Sequence, residues 1–275
     1  MRKYWEPLPA GSTKVMVFQY GKVASTAVVK GLKVYSGISA AHVHTSEQAK
    51  GWLSGQSAGI PLEQQGFALS EEWSLQASDR CFIITASRSH FSRDPSEYFE
   101  NVLAPLHPYG FHPRGSPRQK DSEPAAGERW TQETVSALEK TNASVLVQDF
   151  QAQHAMVLHF YSRWFSDTFK AATGVDVLSV PFDLEKKFAI VQGSRCTTIV
   201  LRYEDSHLWE GTLQQFFPDF RMTSSNKGGS KWYSEAYANF KQLLNYTEPE
   251  LKLICGTETE RHFYQEDGSK CAQFA

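Results

Sequence analysis

Along the chain, short apolar runs alternate with segments in which apolar residues recur every three or four positions. Val15, Met16, Val17 and Phe18 are continuous, the pattern of a strand buried on both faces of a parallel sheet. A loop with Gly21, Lys22, Ser25 and Thr26 follows, and then Ala27, Val28, Val29 and Leu32 give a helix an apolar face. Residues 40–44 predict a short second strand, and CFIITA from Cys81 predicts another buried one. After it, a helix is expected with Asp94 as cap, Pro95 in first position and Glu97 in the first turn. Val157, Leu158, Tyr161, Trp164, Phe165 and Phe169 describe a long helix from about residue 148, ended by Gly174. VDVLSVPF reads as a strand, FAIVQG as a short strand or hairpin arm, and CTTIVLRY as a buried strand leading to a helix that ends near Phe217. Further helices are expected near 69–75, over 130–140, in KWYSEAYANFKQLL, and around 251–254 and 257–264. Repeated strand-then-helix units imply an α/β fold with a central, mainly parallel sheet flanked by helices.

The first unit is read as a phosphate-binding strand, loop and helix. Gly21 permits a sharp turn, Lys22 brings a mobile charge, and Ser25 and Thr26 fall where the first-turn N–H groups of a helix converge on an anion. An ordinary strand-turn-helix with a capping serine has the same pattern. A Walker A loop is excluded, because Met16 stands where its first Gly belongs. His42 and His44 share one face of the second strand by alternation and form a candidate base pair, or simply two strand-end histidines. Arg88 at a strand end and Ser96 eight residues on fit a second phosphate contact, or a surface ion pair beside a helical serine. Lys227 and Gly228, in the loop TSSNKGGS, suit a phosphate-covering flap or a plain connector. His154 and His159 read as core-edge residues.

At 275 residues and 41% apolar content the chain can bury a sizeable core, and a single domain is expected. Its parts would be a lead-in over 1–13, a Pro-, Gly- and charge-rich loop over 104–128, and a C-terminal helical segment over 231–275. His107, His112, Arg114 and Arg118 in that loop would suit a polar or anionic acceptor, or the loop is simply a solvated, partly disordered excursion. A formal charge of −2 gives no general attraction for nucleic acid or anionic membrane. Cys81, Cys196, Cys255 and Cys271 form no metal or redox spacing and are read as reduced. The first residues carry no apolar leader, and no segment has the roughly 20 apolar residues of a membrane span. A soluble cytoplasmic protein without membrane insertion is expected.

Taken together, YGKVASTA and RSHFSRDPSEYFEN resemble the 5′-phosphosulfate loop and the 3′-phosphate motif of sulfotransferases that use 3′-phosphoadenosine 5′-phosphosulfate (PAPS). More closely, the chain resembles the bacterial putative capsular polysaccharide synthesis proteins of the NKWYS family, through Ser230 to Ser234, the Trp164-Phe165 helix, VPFD and LRYED. The resemblance implies a P-loop-like three-layer α/β domain and sulfuryl transfer from PAPS, with no metal, to a saccharide or related hydroxyl in capsule biosynthesis. It gives Lys22 the 5′-phosphate and sulfuryl group, with Gly21, Ala24, Ser25 and Thr26 around the phosphate. Arg88 and Ser96 take the 3′-phosphate, and His44, then His42, serves as base. Ala24 stands where many relatives have Gly. Ser89-His90 replaces an acidic-Pro pair that recurs as Asp94-Pro95; in that register the partner would be Asn101, but Arg88 directly follows the strand. A P-loop-like small-molecule kinase and a non-catalytic nucleotide- or glycan-binding protein are the alternatives.

Overall fold

The computed structural model describes residues 13–36, 38–54, 79–99, 141–223, 233–265 and 270–271. Five strands, β1 (Thr13–Phe18), β2 (Ser39–Val43), β3 (Arg80–Ser87), β4 (Phe188–Gln192) and β5 (Thr197–Arg202), form one sheet in the order β2-β1-β3-β5-β4. Neighbours are parallel except β4, which runs antiparallel to β5 at the edge. The apolar runs dictate this. Val15 to Phe18, Ile83, Ile84 and Ile199 to Leu201 are all buried, and each such side chain contributes about 1.5–3 kcal/mol. A strand with apolar residues on both faces belongs inside a sheet covered on both sides.

The covering elements are α1 (Ser25–Tyr35), α2 (Ser46–Ser54), α3 (His90–Glu97), α4 (Ala143–Tyr161), a π-helical segment (Trp164–Phe169) continuing into α5 (Lys170–Thr173), α6 (Trp209–Gln214), α7 (Ser234–Leu243), α8 (Glu248–Cys255) and α9 (Glu258–Phe263). On one face of the sheet Phe18 stacks on Phe169 and meets Trp164 edge-on. On the other, Phe82 meets Phe216 and Phe217, and α1 lies over β1 and β2. Gly31 lets α1 approach the following chain, since a Cβ there would collide with the Arg221 carbonyl.

Several expectations need correction. The helix after β3 begins at His90 and is capped by Ser89, whose hydroxyl accepts from Phe91 N at 3.3 Å. Asp94 lies buried inside that helix, and Pro95 is also internal. Ser89 takes the capping role because it directly precedes the first helical residue, His90. VDVLSVPF is not a strand: Asp176 caps Leu178 N at 3.1 Å and starts a short 3-10 turn, Val177–Ser179, while Pro181 has no N–H for a ladder. The long helix starts at Ala143, earlier than expected, behind an Asn142 cap, and gives way to π geometry after Tyr161. Gly174, at φ 72°, does end the helical stretch.

The cysteines are not reduced. Cys81 is bonded to Cys196 and Cys255 to Cys271. The first pair is 115 residues apart in sequence, but the parallel register of Phe82 with Thr197 sets their preceding residues side by side. Among the described residues, no helix is long and apolar enough to cross a membrane. The helices expected at 69–75 and 130–140, the loop over 104–128, Lys227, Gly228 and the Ser230 to Trp232 part of the resemblance lie outside the described residues.

Candidate functional site

Because β1, β2, β3 and β5 are parallel, their C-terminal ends open on one edge. The chain leaves β1 for β2 on one side and returns to β3 on the other, so the strand order switches direction between β1 and β3. Crevices at such switch points are where open α/β sheets bind ligands. Here the loop after β1 carries Lys22, and the residue after β3 is Arg88.

The Lys22 loop is tightly wound. Lys22 has φ 74° and Ala24 φ 59°, both in the left-handed region, whereas Gly21 is not. The turn expected from Gly21 is thus made by its non-glycine neighbours, a conformation costing about 1–3 kcal/mol each. Val23 between them is fully buried and anchors the loop. Ala24 leads directly into α1, whose first turn, with Ser25 and Thr26, receives no side-chain cap. Its N–H groups and the positive end of the helix dipole therefore face the same edge as Lys22.

Arg88 is tied to this loop. Its Nη1 donates to the Lys22 carbonyl at 2.7 Å and its Nε to Ser92 Oγ at 3.0 Å, while its guanidinium lies 4.1 Å from the centre of the Tyr203 ring. Nη2 has no partner among the described residues. The Arg88 backbone is fixed too: its N–H donates to Tyr20 Oη at 2.9 Å, and that hydroxyl donates to the Arg88 carbonyl at 3.3 Å. Ser96 lies in the second turn of α3, which starts at His90, and the hydroxyl that Arg88 meets within the protein is that of Ser92. The start of α3 is occupied by protein carboxylates. Glu204 accepts from Ser89 N at 3.2 Å and Ser92 Oγ at 3.0 Å, and Glu260 from Ser89 Oγ at 2.9 Å. Ser92, Tyr203 and Glu204 were not singled out from the sequence. Their signal was there: Ser92 is one helical turn from Arg88, and Tyr203-Glu204 directly follows a buried strand.

The two histidines differ. Their rings are 4.3 Å apart. His44 follows β2, and its Nδ1 lies 3.1 Å from the Gln19 carbonyl, on the chain entering the Lys22 loop. A carbonyl only accepts, so Nδ1 carries the proton. A capping box holds His44 in place: Gln48 Oε1 accepts from Thr45 N, and Gln48 N donates to Thr45 Oγ1, both at 3.2 Å. His42 pairs with Val17 in the ladder and points under α1. Burial, helped by His44 and Lys33, lowers its pKa to about 4, and its Nε2 is buried without a hydrogen-bond partner among the described residues. His44 thus lies against the chain entering the Lys22 loop, while the half-buried His42 sits beside it on β2.

Below the site is an ionic cluster invisible to apolar periodicity. Arg93, fully buried, lies 3.5 Å from the Tyr161 ring centre and 5.1 Å from that of Tyr20. Asp94 accepts from Arg93 Nη1 at 2.7 Å and His154 Nε2 at 2.9 Å, with His90 Nδ1 at 3.1 Å. Burial would raise the Asp94 carboxyl, but His90, His154 and Arg93 together hold it well below the usual carboxylate range. His154 is thus a paired core residue and not a bare edge. Comparison of the chain with protein-family models, curated proteins and solved structures finds no match, so the reading of this site rests on its own residues.

Proposed function

We propose that this protein is a sulfotransferase moving the sulfuryl group of PAPS to a hydroxyl of a saccharide or related acceptor, on a P-loop-like three-layer α/β domain. The observation that carries this reading is the contact of Arg88 with the Lys22 carbonyl across the switch point. It brings together the two segments whose sequences resemble the 5′- and 3′-phosphate motifs of the PAPS-using family. Ala24 supports it as well, since the position where relatives have Gly is left-handed here. In this reading Lys22 and the first-turn amides of α1 hold the 5′-phosphosulfate, and Arg88 Nη2 reaches the 3′-phosphate.

The acceptor oxygen attacks sulfur in line as the bond from sulfur to the bridging phosphate oxygen breaks. The acceptor proton passes to His44 Nε2, and adenosine 3′,5′-bisphosphate leaves with its new charge facing Lys22 and the helix N-terminus. Two disulfides weigh against the cytoplasmic placement expected from the sequence and favour an oxidising compartment.

Calorimetric titration with adenosine 3′,5′-bisphosphate, AMP and ATP tests the donor site. The bisphosphate should bind about tenfold or more tightly than AMP, and Arg88→Ala should abolish that preference. Lys22→Ala should lower sulfuryl transfer by roughly 10²–10³-fold. Preference for ATP would favour the kinase reading, bisphosphate binding without turnover the non-catalytic one, and no binding at all would end the donor-site assignment.

A further inference from the structure

We propose that Arg88, seated by Tyr203 and by Ser92 with Glu204, is the positioning residue of the Lys22 loop. The group read for the 3′-phosphate then also sets the geometry at the 5′-phosphosulfate. The proposal rests on the donor-site reading above.

Two non-glycine residues, Lys22 and Ala24, are left-handed within three positions, a form that persists only where surrounding contacts over-determine it. On its entry side, Tyr20 is locked to the Arg88 backbone through its hydroxyl. At its centre, the Lys22 carbonyl is held by Arg88 Nη1 at 2.7 Å. Both restraints therefore end on one residue.

Arg88 is itself fixed on two further sides. Tyr203 lies under the guanidinium plane, and Ser92 Oγ takes its Nε. Ser92 is backed by Glu204, whose other oxygen accepts from Tyr264 Oη at 2.7 Å; that hydroxyl is 3.0 Å from Ser87 Oγ at the end of β3. The chain of contacts runs from the ends of β3 and β5 to the loop after β1. A lysine at position 88 could not reproduce it, because an ammonium has no planar fork to stack on Tyr203 while meeting Ser92 and the Lys22 carbonyl together.

A residue that only reads the 3′-phosphate and one that also shapes the loop differ in a single measurement: binding of a ligand with no 3′-phosphate. Titration with AMP should be weakened on the order of tenfold in Arg88→Lys and Arg88→Ala, the loss of one charge-assisted hydrogen bond. Ser92→Ala and Tyr203→Leu should weaken AMP in the same direction while keeping a preference for the bisphosphate. Wild-type affinity for AMP in the Arg88 variants, with only the bisphosphate preference lost, overturns the proposal.

Amide hydrogen exchange over residues 20–26 without ligand gives a second readout that a general loss of stability does not produce. Exchange there should quicken in Ser92→Ala and Tyr203→Leu relative to β3, and unchanged exchange in both overturns the tether. Should the wild-type protein bind neither nucleotide, the donor-site reading falls, while the exchange comparison still decides whether Arg88 holds the loop.

Discussion

Glu260 is fully buried in α9. Its Oε1 accepts from His90 N at 2.5 Å and Ser89 Oγ at 2.9 Å, but Oε2 is buried without a hydrogen-bond partner. Burial, only partly offset by His90 and these bonds and reinforced by Glu204, raises its pKa from 4.5 to about 7. The folded protein thus keeps a proton that the unfolded chain releases, and Glu260 takes stability away as pH rises from about 4.5 to 7. His42 works the other way. Its pKa near 4 lies below the ordinary 6.5, so the folded state refuses a proton and stability falls as pH drops through that window. Between roughly pH 4.5 and 6.5 the two oppose each other. Glu260→Gln keeps the Oε1 acceptor and removes one side of the balance. Urea unfolding from pH 4.5 to 8 should find it near wild type at the acid end and about 1–3 kcal/mol more stable above pH 7. A difference that stays flat with pH would show that Glu260 titrates normally. Neither shift could be read from the sequence, because each comes first from burial, which only the fold sets. The sequence did place Ser25 and Thr26 at the start of a helix and Lys22 in the loop before it, since a buried strand, a small-residue loop and an apolar helical face lie within one local stretch.

At the scale of elements, α3 is held to α4 by charge more than by an apolar stripe. Asp94 on α3 meets His154 on α4, with His90 and Arg93 completing its shell. Removing the carboxylate would leave Arg93 fully buried between two tyrosine rings with only Glu97 as a nearby acid, 3.7 Å away. Asp94→Ala should therefore cost about 3–5 kcal/mol, read as a lower urea midpoint, whereas His159→Ala on the exposed side of α4 should change stability by less than about 0.5 kcal/mol. Equal effects from the two would mean that the cluster does not bind the helices together. The three interior strands, β1, β3 and β5, were legible as apolar runs because a parallel interior strand must be apolar on both faces, whereas β2 and the hairpin arm β4 lie at the edges. The misreadings share a cause. Asp94 looked like a cap and VDVLSVPF like a strand because local composition does not say whether a polar group faces solvent or a buried partner. Arg88 was legible from its place after β3, whereas its contact with Ser92 was not, because that contact depends on where α3 starts.

For the whole molecule, the sheet order decides what the distant parts of the chain can do together. The same parallel register that aligns Arg88 with the Lys22 loop also aligns Cys81 with Cys196, so the first disulfide fastens β3 to β5 beneath the strands that present the site. The second closes a shorter loop, 16 residues in span, from the end of α8 to Cys271. A bridge of long span removes more freedom from the unfolded chain, and losing either one typically costs about 2–5 kcal/mol. Thiol titration of the denatured, unreduced protein should find no reactive cysteine, and reduction should release all four. The paired substitution of Cys81 and Cys196 by Ala should lower the unfolding midpoint more than the same change at Cys255 and Cys271, because its loop is the longer. Since the Cys81 bridge joins the strands that carry Arg88 and Tyr203, its loss should also weaken bisphosphate binding, while loss of the Cys255 bridge should act on stability alone. Four free thiols in protein purified without reductant would remove the argument for an oxidising compartment and restore the cytoplasmic placement that the sequence alone implied.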